Sequence, residues 1–326
     1  MASEEPISFD LDGTTVQALP GETILQAALR TGTEIPHLCY KDGYRADGNC
    51  RTCVVEIKGE RALAASCCRT PSSGMNVATK NERARHAQRL VVELLKSDVQ
   101  QGSDYSPASE LDHWASFLGV DKARFRPRQQ PVCDLSNPAI AVNLDACIQC
   151  TRCVRACREE QVNDVIGFAY RGAESSIVFD LDDPMGASTC VSCGECVQAC
   201  PTGALMPANE IAKTKAQRVV ESACPYCGVG CLLNYHVRDD QIQFVQGRNG
   251  PANQSRLCVK GRYGFDYVHN PERLTKPLIR REGAEKSSEV LSPTDVENHF
   301  REATWDEALD KAAAGLRHIR ERSGPN

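Results

Sequence analysis

Cys147-Ile148-Gln149-Cys150-Thr151-Arg152-Cys153-Val154-Arg155-Ala156-Cys157 and Cys190-Val191-Ser192-Cys193-Gly194-Glu195-Cys196-Val197-Gln198-Ala199-Cys200 repeat one spacing, Cys-x2-Cys-x2-Cys-x3-Cys. In such a run three close thiolates hold three corners of a cubane, and the fourth ligates the other cluster of the pair. The expected sites are therefore one [4Fe–4S] cluster on Cys147, Cys150, Cys153 and Cys200 and a second on Cys157, Cys190, Cys193 and Cys196. Of the 18 cysteines in the chain, two more spaced groups flank these runs: Cys39, Cys50, Cys53, Cys67 before them and Cys224, Cys227, Cys231, Cys258 after them. The whole set reads as an iron–sulfur electron wire.

Disulfides and zinc are the competing readings. Eighteen cysteines in 326 residues is sparse for a disulfide scaffold, and a chain of this length can bury a core without staples. Met1 to Asp10 has neither the cationic start nor the apolar core of a signal peptide, so a reducing cytoplasmic location is expected. Zinc would be satisfied by two Cys-x2-Cys pairs, which leaves the third and fourth cysteines of each run redundant. A net charge of -5 speaks against a nucleic-acid partner. The arginines at 124, 126, 128 and at 317, 320, 322 lack interleaved aromatics and read as solvated faces. No stretch approaches the roughly 20 apolar residues of a membrane span. Neither a Gly-x-Gly-x-x-Gly turn nor a Walker-type Gly-Lys-Ser/Thr is present, so no nucleotide site is expected.

Residues 7–19 alternate apolar and polar about Asp12-Gly13, which predicts a hairpin with Phe9 and Leu11 on one face and Val16 beyond the turn. Ile24, Leu25, Ala28 and Leu29 predict a helix over Glu22–Thr31. A loop with Cys39, Cys50 and Cys53 runs into a strand at Val54–Ile57, which Gly59 turns back. Lys80–Ser97 reads as an amphipathic helix with Ala87, Leu90, Val91, Leu94 and Leu95 as its apolar stripe. From Asp98 to Pro131 the chain turns polar, apart from a helical stretch around Leu111–Leu118. The insert between the cysteine runs carries a strand at Ser176–Asp180. A capping box, Thr304 with Glu307, opens a last helix with Trp305, Leu309, Ala312, Leu316 and Ile319 on one face.

Strand, strand, helix, strand with a cysteine-bearing loop resembles the β-grasp [2Fe–2S] ferredoxin domain at the head of complex I large subunits, iron-only hydrogenases and formate dehydrogenases. The residues that carry it are Ile35-Pro36-His37-Leu38-Cys39, the stretch from Gly48-Asn49-Cys50 to Cys53-Val54-Val55-Glu56, and Cys67, seven residues before Gly74-Met75. The resemblance implies a [2Fe–2S] cluster on Cys39, Cys50, Cys53 and Cys67, with Cys67 preferred to Cys68 as fourth ligand. Related subunits bind one more [4Fe–4S] cluster through His-x3-Cys-x2-Cys-x5-Cys. Here only His113 stands, with no cysteine until Cys133, so that cluster is absent and His113 is expected to be a surface or packing residue. Pro201-Thr202-Gly203-Ala204-Leu205 matches the bacterial ferredoxin pattern, whereas Arg158 replaces the usual proline of the first run. A cation beside a cluster is expected to raise its potential.

Cys224-Pro225-Tyr226-Cys227-Gly228-Val229-Gly230-Cys231, then 26 residues to Cys258-Val259-Lys260-Gly261-Arg262, resembles the small [4Fe–4S] domain of bis-pterin molybdenum and tungsten oxidoreductases. It implies a third [4Fe–4S] cluster on Cys224, Cys227, Cys231 and Cys258 and a cluster-to-pterin relay role for Lys260. The expected fold is α+β and multidomain: a β-grasp [2Fe–2S] domain at 1–80, a helical linker at 81–131, a two-[4Fe–4S] ferredoxin domain at 132–212, the small [4Fe–4S] domain at 217–275, and the start of a catalytic domain at 276–326. This order resembles the alpha subunit of a soluble NAD-dependent formate dehydrogenase. The resemblance implies electron passage between a molybdenum- or tungsten-bis-pterin guanine dinucleotide and a flavin- and NAD-binding diaphorase-like partner subunit. No cysteine follows Cys258, and His269, His299 and His318 do not match the family's catalytic motif. No catalytic residue is therefore expected within residues 1–326, and formate turnover by these residues alone is not. The alternatives are a stand-alone multi-cluster carrier, or the large subunit of a complex I-like or hydrogenase-type NADH oxidoreductase.

Overall fold

The computed structural model describes residues 7–99, 109–129, 131–208, 216–286 and 293–324. The residues used to argue against a leader at 1–6, and the polar stretch at 100–108, lie outside them. Two compact units divide the chain, Met1–Gly264 and Phe265–Asn326.

The first unit opens with the expected hairpin, β1 (Ile7–Leu11) and β2 (Thr14–Ala18), in which Phe9 pairs with Val16. Asp12 and Gly13 take φ of 52° and 85°, the two left-handed residues of a tight hairpin turn whose twist matches the strands. Helix α1 (Ile24–Arg30) is closed by a capping box: Thr23 accepts from the Gln26 amide while the Gln26 side chain accepts from the Thr23 amide. Such a cap contributes about 1 kcal/mol. Strands β3 (Val54–Ile57), β4 (Ala64–Ala65) and β5 (Asn76–Ala78) complete a five-stranded sheet of order β2-β1-β5-β3-β4, with β1 and β5 parallel. Its inner face packs Phe9, Leu11, Val55 and Val77 against Ile24, Leu25 and Ala28 of α1, with Cys53 and Cys67 in the same core.

Helix α2 (Glu82–Asp98) forms where the periodicity placed it, but its buried face is rotated from the expected stripe. Ala84, Gln88 and Val92 are buried, Ala87, Leu90 and Val91 are half-buried, and Leu94 is exposed. The reason is Gln88, whose amide donates to the Val54 carbonyl at 2.9 Å and the Thr79 carbonyl at 3.4 Å. A polar side chain that satisfies two buried acceptors can sit at the centre of a packed face, and an apolar count does not see it. Helix α3 (Glu110–Leu118) packs on α2 and ends at Gly119 in the left-handed region.

In the next segment β6 (Ile140–Val142) pairs antiparallel with β9 (Leu205–Pro207), joining the two ends of the cysteine-rich stretch. The insert folds as the hairpin β7 (Ile166–Ala169) and β8 (Ser176–Phe179). Short helices α4 (Arg152–Arg155) and α5 (Glu195–Ala199) follow the second cysteine of each run. A three-stranded meander, β10 (Arg218–Ala223), β11 (Leu232–Arg238) and β12 (Gln241–Gly247), then leads to α6 (Val259–Tyr263), which packs on β12.

The second unit contains α7 (Pro293–His299), a two-stranded sheet of β13 (Leu278–Arg280) and β14 (Phe300–Glu302), and α8 (Trp305–Ser323). Thr304 caps α8 by accepting from the Glu307 amide at 3.2 Å. The apolar face read from the sequence, including Trp305, Leu309, Leu316 and Ile319, is exposed. No helix among the described residues is long and apolar enough to cross a membrane.

Candidate metal centres

The two cysteine runs fold into the same loop twice. Gln149 and Thr151 have φ of 54° and 59° in the first, and Ser192 and Gly194 have 52° and 74° at the equivalent places in the second. Left-handed residues between the cysteines curl the backbone so that its N–H groups face the thiols. The Gln149 amide donates to Cys147 Sγ at 3.4 Å and the Ser192 amide to Cys190 Sγ at 3.3 Å. The Val165 amide likewise donates to Cys157 Sγ at 3.4 Å. Such N–H donors stabilise anionic sulfur and tune cluster potential.

The eight cysteines of the two runs line two cavities. Cys147, Cys150, Cys153 and Cys200 line one cavity with Leu144, Ile148, Ile177 and Leu205. Cys157, Cys190, Cys193 and Cys196 line a second with Ile140, Val165 and Ile166. Each cavity thus presents four thiols, apolar walls and backbone donors, a donor set that fits a [4Fe–4S] cubane. Burial pushes the Cys147 thiol up to about 11 and the Cys150 thiol up to about 12. In this apolar setting the thiolates need the positive charge of iron, so metal loading would release protons.

The first-domain group gathers in the same manner. Cys39 is in hydrogen-bonding contact with Cys50 and Cys67, and Cys53 with Cys67. Donation from the Cys50 and Cys67 thiols draws Cys39 down to about 2, while Cys50 is pushed up by its hydrogen bond to Cys39 and Cys67 by its hydrogen bonds to Cys39 and Cys53, with burial adding to both. Cys67 is buried in the β-grasp core, whereas Cys68 is exposed with its sulfur 3.5 Å from Cys67 Sγ. The placement favours the expected set, which fits a [2Fe–2S] rhomb. His113 is exposed, its ring 4.7 Å edge-on to Trp114.

The third group is assembled by the turn before β11 and the start of α6. The Cys224 amide donates to the Cys231 carbonyl at 2.8 Å, and Cys231 is pushed up by burial and by Cys224, Cys227 and Cys258 around it. Gly261 comes close to Cys224, where an added Cβ would lie 3.5 Å from the sulfur. Cys227, Cys258 and Lys260 are exposed, so this group sits at the surface of its unit.

Sequence reasoning missed the buried charges that lock these sites together. Arg152, 2 % exposed, binds both carboxylate oxygens of Glu110 at 2.8 and 2.9 Å and also reaches the Tyr40 and Ala199 carbonyls. Arg155, also 2 % exposed, donates to the Cys39 and Cys150 carbonyls. Glu195, 1 % exposed, accepts from Tyr44 Oη at 2.6 Å and from Arg262 Nη2 at 3.3 Å, tying the first and third domains to the middle one. Arg262 also donates to the Cys193 carbonyl at 3.1 Å and to Gln198 at 2.8 Å. Gly194 permits this approach, since a Cβ there would lie 2.2 Å from Arg262 Cδ. Arg158, the cation singled out from the sequence, is instead exposed and paired with Asp164. The available signal was two arginines flanking Cys153 at helical spacing inside a run whose thiols must be buried.

Three family models match parts of the chain. Residues 4–82 match the 2Fe-2S iron-sulfur cluster binding domain, residues 146–204 the 4Fe-4S dicluster domain, and residues 217–270 the molybdopterin oxidoreductase Fe4S4 domain. A formate dehydrogenase-type protein of Staphylococcus haemolyticus is 26% identical over 371 residues, covering 98% of this chain and 36% of the relative. One of Staphylococcus aureus is 27% identical over 368 residues, covering 99% and 36%. The chain therefore spans about a third of the length of these relatives. A chain in the crystal structure of an NAD+-reducing [NiFe]-hydrogenase superposes with a TM-score of 0.56 at 30% identity, covering 64% of this chain and 90% of that one.

Proposed function

We propose, from the premise that the chain belongs to the iron–sulfur family represented by this hydrogenase chain and by the iron–sulfur portion of formate dehydrogenase-type proteins, that it relays electrons between a molybdenum- or tungsten-bis-pterin site outside residues 1–326 and a flavin- and NAD-binding partner subunit. Bound clusters, one [2Fe–2S] and three [4Fe–4S], would supply one-electron carriage. The chain's own part is to hold them in order, bury them and set their charge environment.

The observation that carries this reading is the sequence of contacts between sites. Arg262, four residues after Cys258, reaches the Cys193 carbonyl; the two central cavities share one core through Cys153 and Cys196; and Cys150 packs in one core with Cys39. The order is then the Cys224 group, the Cys190 group, the Cys147 group and the Cys39 group. The exposed Cys224 group would face the pterin, with Lys260 as its relay residue, and the location would be cytoplasmic. A hydrogenase-type NADH oxidoreductase is the second reading, favoured by the 90% coverage of the hydrogenase chain.

In a longer protein that contains residues 1–326, formate is expected to reduce all four clusters. Lys260→Met should leave iron content and the NADH-driven reduction unchanged while slowing formate-driven reduction by roughly 10-fold or more. Freeze-quenched electron paramagnetic resonance (EPR) reads both. Reduction by NADH alone, with formate inert, would favour the second reading; a wild-type formate rate in Lys260→Met would return that lysine to the solvated surface.

A further inference from the structure

One guanidinium touches two cluster sites. Arg155 Nη2 donates to the Cys39 carbonyl at 2.7 Å and to the Cys150 carbonyl at 3.3 Å, so the main chains of two cysteines from different sites converge on one nitrogen. Nη1 donates to the Arg45 carbonyl, and Asp47 Oδ2 lies 3.0 Å from Nε. Asp47 is not dedicated to this arginine: it also pairs with Arg45 at 2.5 Å and accepts from Thr151 Oγ1 at 2.9 Å. Arg45 in turn pairs with Glu159 at 2.7 Å, toward solvent. The Asp47 and Glu159 side chains are 19% and 32% exposed, whereas the Arg155 side chain is 2% exposed and its buried end meets the main-chain carbonyls of Cys39 and Cys150. Arg152 differs, because both its Nη atoms are met by the Glu110 carboxylate.

We propose that Arg155 is a positioning residue that fixes the Cys39 site against the Cys147 site and holds a positive charge common to both, raising the two reduction potentials together. The inference rests on the cluster reading above. When a reduced [4Fe–4S] cluster is oxidised by one electron and the [2Fe–2S] cluster is reduced by it, no proton or bond changes, and the added negative charge stays beside the same guanidinium. A buried fixed charge is screened less than an exposed one, so it acts on both sites.

The test is an EPR-monitored redox titration of the anaerobically reconstituted chain, with iron analysis alongside. Arg155→Gln is expected to lower both midpoints so that the reduced-to-oxidised ratio at a fixed poise falls about tenfold, 59 mV for one electron. The clusters of the Cys190 and Cys224 groups should not move. Asp47→Asn, which leaves the arginine in place and removes its partial counter-charge, should shift the same two midpoints upward. Arg155→Lys should keep the midpoints near wild type while changing the magnetic interaction between the two reduced clusters. Unchanged midpoints in Arg155→Gln, a shift confined to one cluster, or a downward shift in Asp47→Asn would overturn the proposal. If Arg155→Gln loses iron, the sign of the Asp47→Asn shift decides. A full iron count with unmoved midpoints would leave the cluster reading standing and remove only this inference.

Discussion

Arg262→Met is expected to destabilise the chain by about 3–5 kcal/mol, because it strands Glu195 as a buried, uncompensated carboxylate. The two side chains are 3% and 2% exposed, so solvent screening gives no relief. Tyr44 still donates to Glu195 after the substitution, but one neutral hydroxyl does not offset the desolvation of a charge. Glu195→Gln strands Arg262 in the same way and should cost a comparable amount. The double variant is expected to recover much of the loss, since removing both charges together avoids the unpaired state. Denaturant unfolding of the four proteins measures the cycle. Additive losses, or a single-variant cost below about 1 kcal/mol, would mean that the junction is not a tightly coupled buried pair.

The second large effect separates the crossed arrangement from a simple one. Cys200→Ser is expected to remove the same EPR signal as Cys147→Ser, and Cys157→Ser the same signal as Cys190→Ser, each with loss of about four irons. Cys200 lines the cavity of Cys147, Cys150 and Cys153, and Cys157 that of Cys190, Cys193 and Cys196. If Cys200→Ser instead matched Cys190→Ser, each run would hold its own cluster and the crossed assignment would fail.

What could be read from the residues alone was whatever is encoded locally. The hairpin at Asp12-Gly13, the capped starts of α1 and α8, and the cysteine runs follow from short-range spacing, and the spacing of the runs groups Cys200 and Cys157 with the cysteines whose cavities they line. The face of α2 was not legible, because Gln88 is buried only by virtue of two carbonyls contributed from Val54 and Thr79. The same holds for Arg152, Arg155 and Glu195. Their partners lie far away along the chain, and a charged residue in a polar sequence reads as solvated until a fold surrounds it. Arg158 shows the converse, since adjacency to Cys157 in sequence does not bring its charge inward.

The measurement that bears most directly on the account is the iron content of the anaerobically reconstituted chain. One [2Fe–2S] and three [4Fe–4S] clusters on the sixteen spaced cysteines predict ~14 irons per chain, with Cys68 and Cys133 left as thiols. A value near 18 would draw His113 and Cys133 into a further site, and a value near 4, one metal per group as for mononuclear ions, would contradict the electron-wire reading altogether.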